Sequence, residues 1–227
     1  FGAVQVSPPQ EHVVLPEVGY PWWQDYQPVS YRLVSRRGDR AAFAAMVSTC
    51  HDAGVRVYVD AVVNHMAGGA STGVGSAGSP YSQYDYPAVP YRSDDFHHCG
   101  RNGTDDIADW TDPWEIQNCE LLDLSDLKTE STTVRGRLSA YLADLRSLGV
   151  DGFRIDAAKH VPVGDLRAIL PSDAYVYSEV IEGGIDQTDY TGIGDVTEFR
   201  YGDMVAGAFR DGDLSVLNDV AGSMVLG

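Results

Sequence analysis

Gly152-Phe153-Arg154-Ile155-Asp156-Ala157-Ala158-Lys159-His160 is the stretch whose reading decides the fold of this chain. It opens as a strand and closes in charge. Side chains alternate across a strand, so Gly152, Arg154 and Asp156 share one face while Phe153 and Ile155 share the other. The apolar pair suits a surface covered by helices. The opposite face sets an arginine beside a carboxylate. A nearby guanidinium favours the charged carboxylate and is expected to lower its pKa, the state a carboxylate nucleophile needs. A salt bridge of purely structural purpose has the same pattern, so these nine residues leave both readings open.

Working outward, Val134, Leu138, Tyr141, Leu142, Leu145 and Leu148 recur at helical spacing. They predict an amphipathic helix over 131–148, ended by Gly149. On the other side a short helix over 163–170 precedes a strand over 175–181, with Tyr175, Tyr177 and Glu179 on one face. A strand over 196–201 and a further helix follow. Earlier in the chain, Asp39 is a plausible N-cap for a helix reaching Ala53, with Ala42, Phe43, Met46, Val47 and Cys50 on its apolar face. A strand over 55–65 comes next, its odd-numbered valines toward the helices and Asp60 inward. Residues 1–7 form a first strand, stopped by Pro8-Pro9. Strands alternating with helices imply a parallel sheet. Asn64, His65, Asp156 and Glu179 all fall at strand C-terminal ends, the rim that carries the active site in barrels and open α/β sheets.

Neighbouring strands lie ~4.8 Å apart, so Asp156 and Glu179 are expected side by side with their carboxyl groups ~5–5.5 Å apart, the spacing of retaining glycoside hydrolysis. In that scheme Arg154 keeps Asp156 ionised as the nucleophile. The Asp156 charge raises the pKa of Glu179 and keeps its proton available for the leaving oxygen.

Two stretches lack a regular pattern. Residues 8–37 are rich in Pro, Trp and Tyr around Tyr20-Pro21-Trp22-Trp23-Gln24-Asp25-Tyr26-Gln27-Pro28. Such a cluster can stack on pyranose faces, although aromatics that cap a core are commoner. Residues 66–130 open with a Gly/Ser-rich run that is flexible by composition, and a loop region of this length is usually functional or a small inserted subdomain. Cys99 and Cys119 are the better candidates for a disulfide, whereas Cys50 reads as a buried thiol.

The 227 residues carry 33 acidic and 16 basic side chains, a formal charge of −17. That balance repels phosphate and argues against nucleic acid or an anionic membrane as partner. No apolar run reaches the ~20 residues of a membrane span.

Several motifs in order identify the chain as similar to a known family. Asp60-Ala61-Val62-Val63-Asn64-His65, the stretch from Gly152 to His160, and Glu179-Val180-Ile181 resemble three signature regions of the α-amylase family. Gly2-Ala3-Val4-Gln5-Val6-Ser7-Pro8-Pro9 and the Trp22-Trp23 segment resemble the second strand and aromatic loop of its animal and actinobacterial members. The resemblance implies an α/β fold, part of a TIM (β/α)8 barrel from about strand two to strand six. Residues 1–65 and 131–227 supply barrel, and 66–130 supply a calcium-associated subdomain inserted after the third strand. It further implies a secreted, extracellular protein, monomeric at full length, that hydrolyses internal α-1,4 bonds of an α-glucan such as starch or glycogen with retention. Asp156 is then the nucleophile, Glu179 the acid/base and Arg154 the arginine beside the nucleophile. Trp22, Trp23, Tyr26, Gln27, His65, Lys159, His160 and Ile181 match substrate-binding residues, with His65, Trp23 and Tyr26 at the subsite of cleavage and Lys159 and His160 on the leaving-group side. Asp60 matches a structural carboxylate. Ca²⁺ takes hard oxygen ligands. Asn64 and Asp126 match its side-chain ligands, while Gln117 and His160 match main-chain carbonyl ligands. Chloride near Arg154 occurs in some relatives, and this chain leaves that site undecided.

The expected barrel has eight strands, and the pattern here supplies five. The fourth signature region, with the third catalytic carboxylate, is not found, which reads as an internal fragment. A transglycosylase of the same family and a non-catalytic α-glucan binder are the competing readings. Product analysis on a maltooligosaccharide and trapping of a glycosyl–Asp156 adduct separate them.

Overall fold

The computed structural model describes residues 1–69 and 72–219. Its centre is a five-stranded parallel sheet with strands in chain order: β1 (Ala3–Val6), β2 (Arg56–Val62), β3 (Gly152–Asp156), β4 (Tyr175–Ser178) and β5 (Asp195–Val196). The helices are α1 (Arg40–Asp52), α2 (Pro113–Asn118), α3 (Thr132–Ser147), α4 (Val163–Ile169) and α5 (Arg200–Asp211).

Alternation along the strands sorts the two faces. Val57, Val59, Ala61, Phe153 and Ile155 are wholly buried on the outer face, beneath the helices. Burial of each large side chain there contributes about 1.5–3 kcal/mol. On α3, Val134, Leu138, Tyr141, Leu142 and Leu145 form the buried stripe that their spacing predicts. Gly149 follows at φ +93°, a left-handed turn that glycine adopts without strain. The inner face holds Tyr58 and Tyr175, whose ring centres are 5.0 Å apart. Gly152 lies between them in register. A Cβ at Gly152 would fall 2.5 Å from the Tyr175 carbonyl and 3.0 Å from the Tyr58 ring, so this position takes glycine for close approach.

Four local readings are revised. The strand expected over 196–201 stops at Val196, and α5 begins at Arg200, where Glu198 accepts from the Arg200 amide and guanidinium. Val47 is the one fully buried residue of α1, and Cys50 on that helix is half-buried rather than buried. The Gly/Ser-rich run is not simply loose, since Thr72–Val74 pairs antiparallel with Pro80–Ser82. Finally, β2 ends at Val62, and His65 starts a separate strand, His65–Gly68, that pairs with Leu124–Asp126. The Asp39 cap is present, its carboxylate accepting from the Ala42 amide at 2.9 Å.

The segment between β2 and α3 is built on buried aromatics, Tyr81, Tyr86, Tyr91 and Phe96 among them, with short strands and turns around them. Cys99 and Cys119 are disulfide-bonded.

Candidate active site

Parallel register brings the signature carboxylates together. Arg154 pairs with Tyr177, and Ile155 with Ser178. Glu179 is the next residue, and its amide donates to the Ile155 carbonyl at 3.0 Å. Asp156 and Glu179 therefore leave adjacent strands at the same C-terminal rim. Arg154 joins them: Nη1 donates to Asp156 Oδ1 at 2.9 Å, and Nη2 lies 2.8 Å from Glu179 Oε1. The second Glu179 oxygen accepts from the Ala157 amide at 2.9 Å. Ala157 holds φ +50°, a left-handed conformation costly for a non-glycine residue, immediately after Asp156.

A third carboxylate shares the same arginine. Asp60, wholly buried on β2, accepts from Arg154 Nη1 at 2.6 and 2.7 Å, from the Tyr26 hydroxyl at 2.7 Å and from Gln5 at 3.2 Å. Asp60 therefore points inward, as its place on the strand predicts. One guanidinium serving three carboxylates changes the electrostatics of Asp156. Burial, reinforced by the Asp60 and Glu179 charges, pushes Asp156 up to about 7 against the pull of Arg154. Arg154 does pull this pKa down, as expected, but desolvation and two like charges outweigh a divided cation, so the net shift is upward rather than downward.

The aromatic loop inverts the usual burial pattern. Gln24 and Asp25 are buried, while Trp22 is 70% and Trp23 41% exposed. The polar residues hold the loop down. Gln10 donates to the Asp25 carbonyl at 3.1 Å, Arg37 donates to the Asp25 carboxylate at 2.7 Å, and His65 Nε2 donates to the Tyr26 carbonyl at 3.0 Å. The two tryptophans therefore cap no core, which favours the stacking reading. Gln27 is half-buried beside them. Burial pushes His65 down to about 4 and keeps its ring neutral.

On the other side of Glu179 a cavity of about 550 Å³ is lined by Trp110, Leu122, Lys159, His160, Glu179 and Ile181. Lys159 is buried, which lowers its pKa, and its ammonium donates to the Glu182 carbonyl at 3.4 Å. Ile181 is exposed at the cavity edge. Trp110 was not singled out from the sequence. Its ring centre is 5.9 Å from the Lys159 ammonium, and the only local signal for it is an aromatic residue within an acidic loop.

A sequence profile of the alpha-amylase catalytic domain matches residues 4–180. This chain belongs to the α-amylase family. It is 54% identical to an α-amylase of Thermomonospora curvata, over 99% of this chain and 39% of that protein. It is 44% identical to human alpha-amylase 2B, over 89% of this chain and 44% of that protein. Alpha-amylase I of Eisenia fetida, solved in complex with maltohexaose, superposes with a TM-score of 0.90 at 40% identity, covering 97% of this chain and 48% of that one. The chain thus spans less than half the length of these relatives. Membership in the family assigns it a TIM-barrel-type α/β fold, of which the five strands form a continuous arc.

The four residues that resemble calcium ligands fall in two groups. Asn64 and Asp126 are both buried, and the Asn64 side chain hydrogen-bonds Asp126. Burial pushes Asp126 up to about 7 against the pull of His97, whose Nδ1 lies 2.6 Å from Oδ2. His160 Nδ1 donates to the carbonyl of Ile116, the residue before Gln117, at 2.9 Å. Burial pushes His160 down to about 4, and both Lys159 and His65 add to that depression, so His160 and the Asn64–His65 pair share one electrostatic neighbourhood. Among the described residues no three or more His, Cys, Asp and Glu side chains cluster for a metal. A set of one carboxylate, one amide and two carbonyls does not depend on such a cluster, and it suits a hard cation.

Proposed function

We propose that this chain is the part of an α-amylase that supplies its nucleophile and its acid/base, acting on internal α-1,4 bonds of starch and glycogen with retention. The observation that carries this reading is the pair of carboxylates at one rim, Asp156 and Glu179, bridged by Arg154. In this scheme ionised Asp156 attacks the anomeric carbon while Glu179 protonates the departing oxygen. Glu179 then takes a proton from water, which releases the sugar from Asp156. Trp22, Trp23, Tyr26, Gln27 and His65 hold the glycone, and Lys159, His160 and Ile181 face the leaving chain. The maltohexaose bound by the Eisenia fetida relative supports an α-glucan as the ligand.

The five strands correspond to barrel strands two to six, and 66–130 to the inserted subdomain. Asn64, Asp126 and the main-chain carbonyls of Gln117 and His160 would hold Ca²⁺. When bound, Ca²⁺ supplies compensation for the buried Asp126 charge and ties the insertion to the sheet. An extracellular protein suits the Cys99–Cys119 disulfide, and no described helix is long and apolar enough to cross a membrane.

The test is stereochemical. Proton NMR of the first product formed by the full-length protein is expected to show the α-anomer, with Asp156→Asn and Glu179→Gln each reducing kcat by at least about 10³-fold. A β-anomeric first product, or turnover retained in Asp156→Asn, would overturn the assignment.

A further inference from the structure

Within the inserted segment, Asp126 is held by the side chain of His97. Its Nδ1 donates to Asp126 Oδ2 at 2.6 Å, and its Nε2 faces Glu130 Oε2 at 3.1 Å. The ring is nearly buried, with 11% of its side chain exposed, against 53% for Glu130. The backbone fixes the same approach. The His97 amide donates to the Asp126 carbonyl at 3.0 Å, Phe96 bridges to Leu127, and the Lys128 amide donates to the Asp95 carbonyl at 2.9 Å. On its far side this strand is held by the Asn64 carbonyl, which accepts from the Leu127 amide at 2.9 Å. Asp126 is therefore clamped between the end of the β2 segment and the loop that leads into the disulfide at Cys99.

We propose that His97 is a positioning residue for the cation site: by binding Asp126 Oδ2 it fixes the carboxylate that would ligate Ca²⁺, and Glu130 holds the far edge of the imidazole. This rests on the calcium reading given above. His97 is too far along the chain from the signature motifs to be found with them, and it touches neither Asp156 nor Glu179 by any hydrogen bond or ion pair among the described residues. Hydrogen-bond partners behind metal ligands typically govern affinity by 10–100-fold, because an unheld carboxylate must be ordered when the metal binds.

The experiment uses the full-length protein, stripped with EDTA and titrated with Ca²⁺ alone by calorimetry, with melting temperatures taken in EDTA and in excess Ca²⁺. For His97→Ala the expected result is a Ca²⁺ Kd raised about 10–100-fold. His97→Asn keeps an N–H near the Nδ1 position, so it recovers most of the affinity. Glu130→Ala, at an exposed residue, retains the fold and loses affinity by a smaller factor. Should His97→Ala fail to fold, the Asn and Glu130 variants carry the test. A wild-type protein that binds no Ca²⁺ overturns the calcium reading and the inference with it. A wild-type protein that binds, with unchanged Kd in the variants, overturns the inference alone. So does a His97→Ala melting temperature lowered equally with and without Ca²⁺, since a merely structural histidine behaves in that way.

Discussion

Asp60→Asn isolates the electrostatic part of the proposed mechanism. The substitution removes one negative charge while keeping the shape of the side chain and an acceptor for the Tyr26 hydroxyl. Arg154 retains Asp156 and Glu179 as partners, so no buried cation is left alone. Asp60 Oδ1 and Asp156 Oδ1 lie 2.6 and 2.9 Å from the same Arg154 nitrogen, so they are at most about 5.5 Å apart. At an effective dielectric near 20, unit charges at that distance repel by about 3 kcal/mol. One pKa unit is about 1.4 kcal/mol, and Arg154 between the two acids offsets part of the repulsion. The expected drop in the Asp156 pKa from its value of about 7 is therefore about one to two units.

The sign follows from the role. In the proposed mechanism Asp156 attacks only when ionised, so activity is expected to be lost as pH falls through its pKa. Lowering that pKa extends activity to more acid conditions. The assay is the pH dependence of kcat/KM for the full-length protein on a chromogenic maltooligosaccharide, over roughly pH 4 to 9. The acid limb of Asp60→Asn should lie about one to two units below that of the wild type. Tyr26→Phe, which removes a neutral partner of Asp60 and no charge, should leave the limb in place. An Asp60→Asn limb that stays put or moves to higher pH would refute the argument that Asp60 raises Asp156.

Three further outcomes are expected. Because Trp22 and Trp23 are exposed, Trp22→Ala and Trp23→Ala should change unfolding free energy by no more than about 0.5 kcal/mol while raising KM for a maltooligosaccharide about three- to tenfold, measured by steady-state kinetics; a large fall in stability with unchanged KM would restore the core-capping reading. Replacing Cys99 and Cys119 by serine opens a loop of 20 residues and should cost about 3 kcal/mol in denaturant unfolding. The 227-residue chain expressed alone exposes the edges of β1 and β5 and the inner-face residues Tyr58, Tyr175 and Tyr177, which line an open cavity of about 540 Å³; it is expected to aggregate in size-exclusion chromatography and to turn over no soluble starch, and full turnover by that material would contradict the expectation.

Much of the barrel arc was legible because a period of two is a local property. Val57 and Val59 against Asp60, or Phe153 and Ile155 against Arg154 and Asp156, announce their faces without knowledge of any partner. The last strand was misread for the same reason. Val196-Thr197-Glu198-Phe199-Arg200-Tyr201 alternates as a strand does, yet the register of β5 on β4 ends at Val196, and Glu198 turns back to hold the first residue of α5. The aromatic loop is a subtler case. Its composition allows a core cap or a sugar platform, and the outcome depends on Asp25 being buried against Arg37 and the Gln10 side chain, contacts that alternation cannot express.

The charge state of Asp156 shows where local reading stops. Two residues apart on one strand, Arg154 and Asp156 look like a neutral pair, and a neutral pair predicts a depressed carboxylate pKa. Folding adds Asp60 from 94 residues away and Glu179 from the next strand, all on the same guanidinium. The local unit is then one cation among three anions in a largely desolvated pocket. Each added acid weakens the hold of the arginine on the other two, and burial raises Asp60 and Asp156 alike. In the proposed role Asp156 reacts ionised, so the pH at which it loses its proton is set by the whole cluster of buried charges and not by the arginine two residues away.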